Sequence, residues 1–148
     1  MSIIIPTYNE SANISKLIEA IKDNLPYGIF TEIIVVDDNS PDNTAKIAEE
    51  YFSSIKEKTT HTINVIKRKA KDGLSSAILN GIQQASGNTI IVMDSDFSHP
   101  PQIIPKLIAF AFLLWSWLTL SILISSGVTS YSFVTSPILS PVNEAIIR

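Results

Sequence analysis

Four short apolar runs, at residues 2–6, 33–36, 62–66 and 89–93, punctuate the first two-thirds of the chain, and each passes into a polar turn. Ile33-Ile34-Val35-Val36 is β-branched throughout, the composition of a strand buried on both faces. Helix-period sequence separates the runs. After the first, Ile14, Leu17, Ile18, Ile21 and Leu25 recur on one helical face, and after the second a helix begins under Asp42 or Ser40 as cap. Strands joined through helices pair in parallel, because a crossover returns the chain to the same end of the sheet. The pattern therefore predicts an α/β half-domain of four βα units over residues 1–108.

In such a sheet ligands bind beyond the carboxyl ends of the strands, and here each end is polar. The first leads into Thr7-Tyr8-Asn9-Glu10 and the second into Asp37-Asp38-Asn39-Ser40-Pro41-Asp42-Asn43-Thr44. The third enters the basic loop Lys67-Arg68-Lys69-Ala70-Lys71-Asp72-Gly73, and the fourth reaches Met93-Asp94-Ser95-Asp96-Phe97-Ser98-His99-Pro100-Pro101. Asp94 and Asp96, one residue apart, supply hard oxygen ligands for a divalent cation, which in turn neutralises a diphosphate. Taken singly, Asp37, Asp38 and Asp42 read as turn and cap residues, and the basic cluster as a solvated loop. Gathered on one edge they read as a site for a nucleotide sugar. A dinucleotide fold is not expected, since no G-x-G-x-x-G follows the first strand.

Eleven Lys and Arg against fourteen Asp and Glu leave a formal charge of -3, with acids and bases mixed outside the 67–71 cluster, so nucleic acid is not the expected partner. Cysteine is absent, which removes disulfides and thiolate metal sites. The chain enters its first strand at once, with no leader-like segment, and a cytosolic setting is expected for this part. At Lys106 the composition changes. Fifteen of the eighteen residues at 107–124 are apolar, and no charge occurs between Lys106 and Glu144. Two readings fit: a membrane span, or sequence foreign to the domain such as a shifted frame or truncation leaves. Trp115 and Trp117 would lie mid-span, away from the interfacial belt. Residues 125–148 carry no pattern that assigns them.

The motifs quoted above, with Gly73-Leu74-Ser75-Ser76-Ala77 and Ala85-Ser86-Gly87-Asn88, occur in the order and spacing that resembles family 2 glycosyltransferases of the GT-A fold. Within the family, the His-Pro-Pro ending looks most like the dolichol-phosphate mannosyltransferases. The resemblance implies a Rossmann-like nucleotide-diphospho-sugar domain, Mg2+ or Mn2+, and transfer of mannose from GDP-mannose to a polyprenyl phosphate, with inversion, at the cytoplasmic face of a membrane. By position, Pro6, Tyr8, Glu10, Val36 and Asp38 would line the nucleoside pocket. Asp94 and Asp96 would be the catalytic pair and hold the metal, with Ser95 and Ser98 beside the substrate. Ser98 stands where some relatives place a glutamine ligand; serine is shorter, and a water would bridge. Arg68 and Lys71 are candidates for phosphate contact, His99 for bracing the turn, and His61 for a surface role. Arg68 and Arg148 are the only arginines, so the basic acceptor-binding half of the family is not evident. Two alternatives follow: a nucleotide-sugar-binding remnant or partner subunit without turnover, or a polyprenyl-phosphate glucosyltransferase using UDP-glucose.

Overall fold

The computed structural model describes residues 1–55 and 61–125, with side chains in the last helix described as far as Trp117. Strand β1 (Ser2–Thr7) is followed by α1 (Ile14–Asp23), β2 (Glu32–Asp37), α2 (Thr44–Ile55), β3 (Thr62–Lys67), α3 (Leu74–Gln84) and β4 (Ile90–Val92). A 3-10 turn at Pro101–Ile103 then leads into α4 (Ile104–Ser125). The sheet is parallel throughout, in the order β3-β2-β1-β4. Four βα units thus build one parallel sheet, as the apolar runs predict.

Central strands carry the core, as their β-branched composition requires: all of β1 is buried, and β2 is buried from Ile33 to Asp37. Residues alternate between the two faces of the sheet. Ile4, Ile34 and Val36 form one face with Ala77 of α3. There α3 comes close through Gly81, where an added Cβ would lie 2.6 Å from Ile4 Cγ2. Right-handed crossovers from β1 to β2 to β3 put α1 and α2 on the opposite face, and the step back from β3 to β4 puts α3 on its own. Helix α1 buries Ile14, Leu17, Ile18 and Ile21, the face its spacing predicts; Leu25 lies past the helix end and is only partly covered.

Strand β4 departs from expectation. Its composition is that of a buried strand, yet Ile90 and Val92 are 40% and 43% exposed. The register pairs Ser2 with Ile90 and Ile4 with Val92, so both side chains lie on the α3 face at the sheet's edge. Among the described residues no further strand pairs with β4.

The chain divides into two compact units, Met1–Ile104 and Pro105–Arg148. In the second, Phe110, Leu113, Leu114, Trp115 and Trp117 are exposed. Among the described residues no helix is long and apolar enough to cross a membrane. The expected span at 107–124 includes 118–124, which lie outside the residues whose side chains are described, and the tail from 126 onward lies outside the described residues altogether.

Candidate functional site

Between β1 and β4 the direction of connection reverses, since β2 and β3 lie on the other side of β1. At such a reversal an open parallel sheet forms its ligand crevice, beyond the carboxyl ends of the strands. Continuing the register two residues past Ile4 and Val92 sets Asp94 level with Pro6. The segments after β1 and β4 therefore flank the crevice.

The first segment is tied to the loop after β2. Asp37 accepts hydrogen bonds from the Ser40 hydroxyl at 2.5 Å and the Ser40 amide at 2.9 Å, and the Ser40 hydroxyl accepts the Asn9 N–H at 3.0 Å. Asp42, of the two predicted caps, is the one used: it accepts the Thr44 N–H at 3.1 Å and the Ser11 N–H at 3.0 Å. Burial pushes the Asp42 carboxyl up, but the Thr44 hydroxyl and the Ser11 and Thr44 amides outweigh it and hold it at about 2. Asn9, Asn39 and Asn43 take positive φ of 60°, 62° and 66°, the left-handed region that asparagine tolerates through local hydrogen bonding.

Arg68 has partners different from the phosphate its sequence position suggests. Its guanidinium donates to Asp38 Oδ1 at 2.6 Å, to Ser76 Oγ at 2.6 Å and to Asp72 Oδ2 at 2.9 Å. Asp38 also accepts the Asp72 and Gly73 amides, at 3.1 Å and 2.9 Å. The Asp38 and Arg68 side chains are only 6% and 13% exposed. The pair thus clasps the ends of β2 and β3 to the start of α3, and both groups are largely committed to the clasp. Ser76 and Arg68 hold the Asp72 carboxyl below its ordinary range. Lys71 remains at the surface, its ammonium 3.5 Å from the centre of the Tyr8 ring, a cation–π contact at the crevice mouth.

The other pocket candidates separate. Tyr8 is exposed and Glu10 partly so, with Glu10 Oε2 accepting from the Asn13 side-chain Nδ2 at 2.9 Å. Pro6 is buried in β1. Val36, expected to line the pocket, has its side chain fully buried in the cluster with Ile4, Ile34 and Ala77, because it shares their face of the sheet. It offers the crevice only backbone.

In the turn after β4, Ser95 is buried while Asp96, Ser98 and His99 are exposed. Asp96 Oδ1 accepts the Ser98 N–H at 2.8 Å, and Ser98 holds the Asp96 carboxyl below its ordinary range. Phe97 takes φ of 64°, an unusual conformation for a bulky side chain. That bend brings His99 Nδ1 to 3.3 Å from Asp94 Oδ2. Carboxylate and hydroxyl oxygens are the donors that Mg2+ and Mn2+ take. Among the described residues no three acids or histidines are gathered closely enough to hold such an ion alone. The set fits the usual Mg2+ arrangement, one or two carboxylates completed by substrate phosphates and water.

The Arg68 clasp, the Lys71–Tyr8 contact and the left-handed Phe97 are absent from the sequence reading. An acid–glycine pair closing a basic loop is the one signal for the clasp; nothing local marks the other two.

The family model described as glycosyl transferase family 2 matches residues 2–112. The chain belongs to that family. A dolichol-phosphate mannosyltransferase from Pyrococcus furiosus is 47% identical over 108 residues, covering 73% of this chain and 29% of the relative. An undecaprenyl-phosphate 4-deoxy-4-formamido-L-arabinose transferase from Proteus mirabilis is 39% identical, covering 75% and 33%. The chain thus spans about a third of the length of these family 2 relatives. Among solved structures, glucosyl-3-phosphoglycerate synthase from Mycobacterium tuberculosis with Mn2+, UDP and phosphoglyceric acid aligns with a TM-score of 0.58 at 25% identity, covering 73% of this chain and 37% of that one. A mannosyltransferase from Pyrobaculum calidifontis, in complex with GDP-Man and Mn2+, gives 0.58 at 23% identity over 64% and 27%, and shares the fold.

Proposed function

We propose that this chain takes part in transferring a hexose, mannose from GDP-mannose, to a polyprenyl phosphate at the cytoplasmic face of a membrane, with Mg2+ or Mn2+ bound. The observation that carries the reading is the Asp94–Asp96 turn at the sheet's switch point, in a chain 47% identical over 108 residues to a dolichol-phosphate mannosyltransferase. The Mycobacterium structure, solved with Mn2+ and UDP, supports a cation at the nucleotide diphosphate.

Asp94 and Asp96 bind on the diphosphate side, and the Tyr8 ring offers the base a stacking face. The Asp38–Arg68 clasp keeps the loop of Lys71 beside them, where the ammonium can move from the ring to a phosphate. A bound divalent cation would neutralise charge on the departing diphosphate. The acceptor phosphate is ionised at neutral pH, so its oxygen attacks the anomeric carbon in line with the leaving group and requires no base from the chain. One displacement inverts the configuration. No histidine is assigned to proton transfer for that reason.

The Proteus relative favours a second reading in which the lipid phosphate class is kept and the sugar differs. Incubating membranes that contain the full chain with labelled GDP-mannose or labelled UDP-glucose separates them. Lipid-extractable label from GDP-mannose, abolished by chelator, is expected. Label from UDP-glucose alone would replace mannose, and label from neither would refute transfer by this chain.

A further inference from the structure

We propose that Lys71 makes the site select nucleoside diphosphates over nucleosides, because its ammonium and a stacked base compete for one face of the Tyr8 ring. The inference rests on reading the crevice as a nucleotide-sugar site, and deepens it.

The Lys71 ammonium lies over the Tyr8 ring, 3.5 Å from its centre. That is the height at which a base would stack, since carbon atoms in contact stand about 3.5–4.0 Å apart. Charge and base therefore exclude each other from that face. The loop that carries Lys71 is fixed at both ends, Arg68 by Asp38 at 2.6 Å and the Asp72 and Gly73 amides by the same carboxylate at 3.1 Å and 2.9 Å. Residues 69–71 between them are exposed, so the backbone keeps Lys71 beside Tyr8 while its long stem remains flexible. In the same basic cluster Lys67 is paired with Glu49, and Arg68 with Asp38 and Asp72. Among the described residues no acid pairs with Lys71, and the Tyr8 ring is what its charge rests on. A nucleoside that stacks on this face displaces the ammonium and gives it no new partner. A nucleoside diphosphate displaces it with the base and offers it a phosphate, a stronger partner than an exposed ring. One side chain thus couples the two halves of the ligand.

Equilibrium titration of the full chain in detergent, with Mg2+ present, tests this with two ligand pairs, guanosine and GDP, and uridine and UDP. The pair whose diphosphate binds the parent carries the test. Lys71→Ala should bind that nucleoside about two- to fivefold tighter, since no ring contact has to be broken, and the diphosphate about three- to tenfold weaker. The opposite signs distinguish this role from that of a lysine that only meets phosphate, whose loss leaves the nucleoside unaffected. Lys71→Arg, which stacks on a ring and binds phosphate, should keep the parent's preference. In a Tyr8→Leu background the gain for the nucleoside should vanish, because no ring is uncovered. In Lys71→Ala, nucleoside affinity not raised or diphosphate affinity not lowered would overturn the competition and leave the nucleotide-sugar site standing, as would a gain that survives in Tyr8→Leu. A parent that binds neither diphosphate would overturn both readings.

Discussion

Replacing Arg68 tests whether the clasp at the ends of β2 and β3 organises the site. Arg68→Ala removes the charge-assisted bonds to Asp38 at 2.6 Å and to Ser76 at 2.6 Å, while Asp38 keeps the Asp72 and Gly73 amides. Breaking a buried pair outright costs roughly 3–5 kcal/mol because a bare charge is left behind. Here two backbone donors remain on the carboxylate, so the loss is nearer that of one charged hydrogen bond plus packing, about 2–3 kcal/mol. Arg68→Lys retains the charge but not the fork that reaches Asp38, Asp72 and Ser76 together, and should cost about 1–2 kcal/mol. Urea unfolding followed by circular dichroism reads this as a fall in midpoint of about 1–2 M for Arg68→Ala, with the slope unchanged. Nucleotide binding should weaken in parallel, since the 68–73 loop is held by the same contacts. A change below about 0.5 kcal/mol, the range of an exposed ion pair, would refute the clasp.

Gly87→Ala should destabilise by roughly 2–3 kcal/mol, because the new Cβ would meet the Met1 carbonyl carbon at 2.5 Å and the Ser2 nitrogen at 2.6 Å, backbone atoms with no rotamer to escape by; thermal unfolding checks it. Asp42 lies at about 2 in the folded chain, below the usual carboxylate value, so the unfolded state binds more protons as pH falls. Its contribution is therefore complete above about pH 4 and lost toward pH 2, and Asp42→Asn should flatten the stability–pH slope in that window, as denaturation at pH 5, 3 and 2 would measure. Asp96→Asn should reduce Mn2+-dependent GDP binding by about tenfold or more in calorimetric titration, with binding under chelator already weak in the parent; equal affinity with and without the cation would remove the metal assignment. Val92→Lys, at a residue 43% exposed on the edge strand, should change stability by less than about 0.5 kcal/mol, as urea unfolding would measure.

What was legible in the chain follows from how far each signal reaches. Strand identity is local: β-branched runs ending in polar turns, and a helical face at Ile14, Leu17, Ile18 and Ile21, need no knowledge of neighbours. Asp94-Ser95-Asp96 is read as a candidate site only with the other polar strand ends beside it, since the pair alone fits a solvated turn equally well. Burial of β4 was not legible, because its composition matches a central strand while its exposure is set by strand order, a property of the whole sheet. Charge at Arg68 was legible but its direction was not: whether a guanidinium turns outward to phosphate or inward depends on Asp38, thirty residues away in sequence. Val36 is the instructive case. Its two-residue spacing from Ile34 already places its side chain on the core face, so any part it has in lining the pocket is through its backbone.

The two ends of the sheet divide stability from function. At the amino ends Glu32 Oε2 accepts the Ser2 hydroxyl at 2.7 Å and the Ser86 amide and hydroxyl at 3.0 Å, and Gly87 donates to Ser2 at 2.9 Å. These contacts tie β1, β2 and the turn before β4 together, and the one described left-handed residue in the connections at this end is a glycine, Gly28, φ 81°. At the carboxyl ends all four non-glycine residues of positive φ among the described residues occur, at Asn9, Asn39, Asn43 and Phe97. Such conformations each cost of order 1 kcal/mol and persist only where surrounding contacts over-determine them. Ser40 and Asp42 supply those contacts around the three asparagines. Phe97, with the least tolerant side chain of the four, sits between the Asp96–Ser98 bond and the Asp94–His99 contact. The carboxyl edge thus holds the strained non-glycine turns, each kept by side-chain contacts, while the amino edge holds the ties that close the sheet.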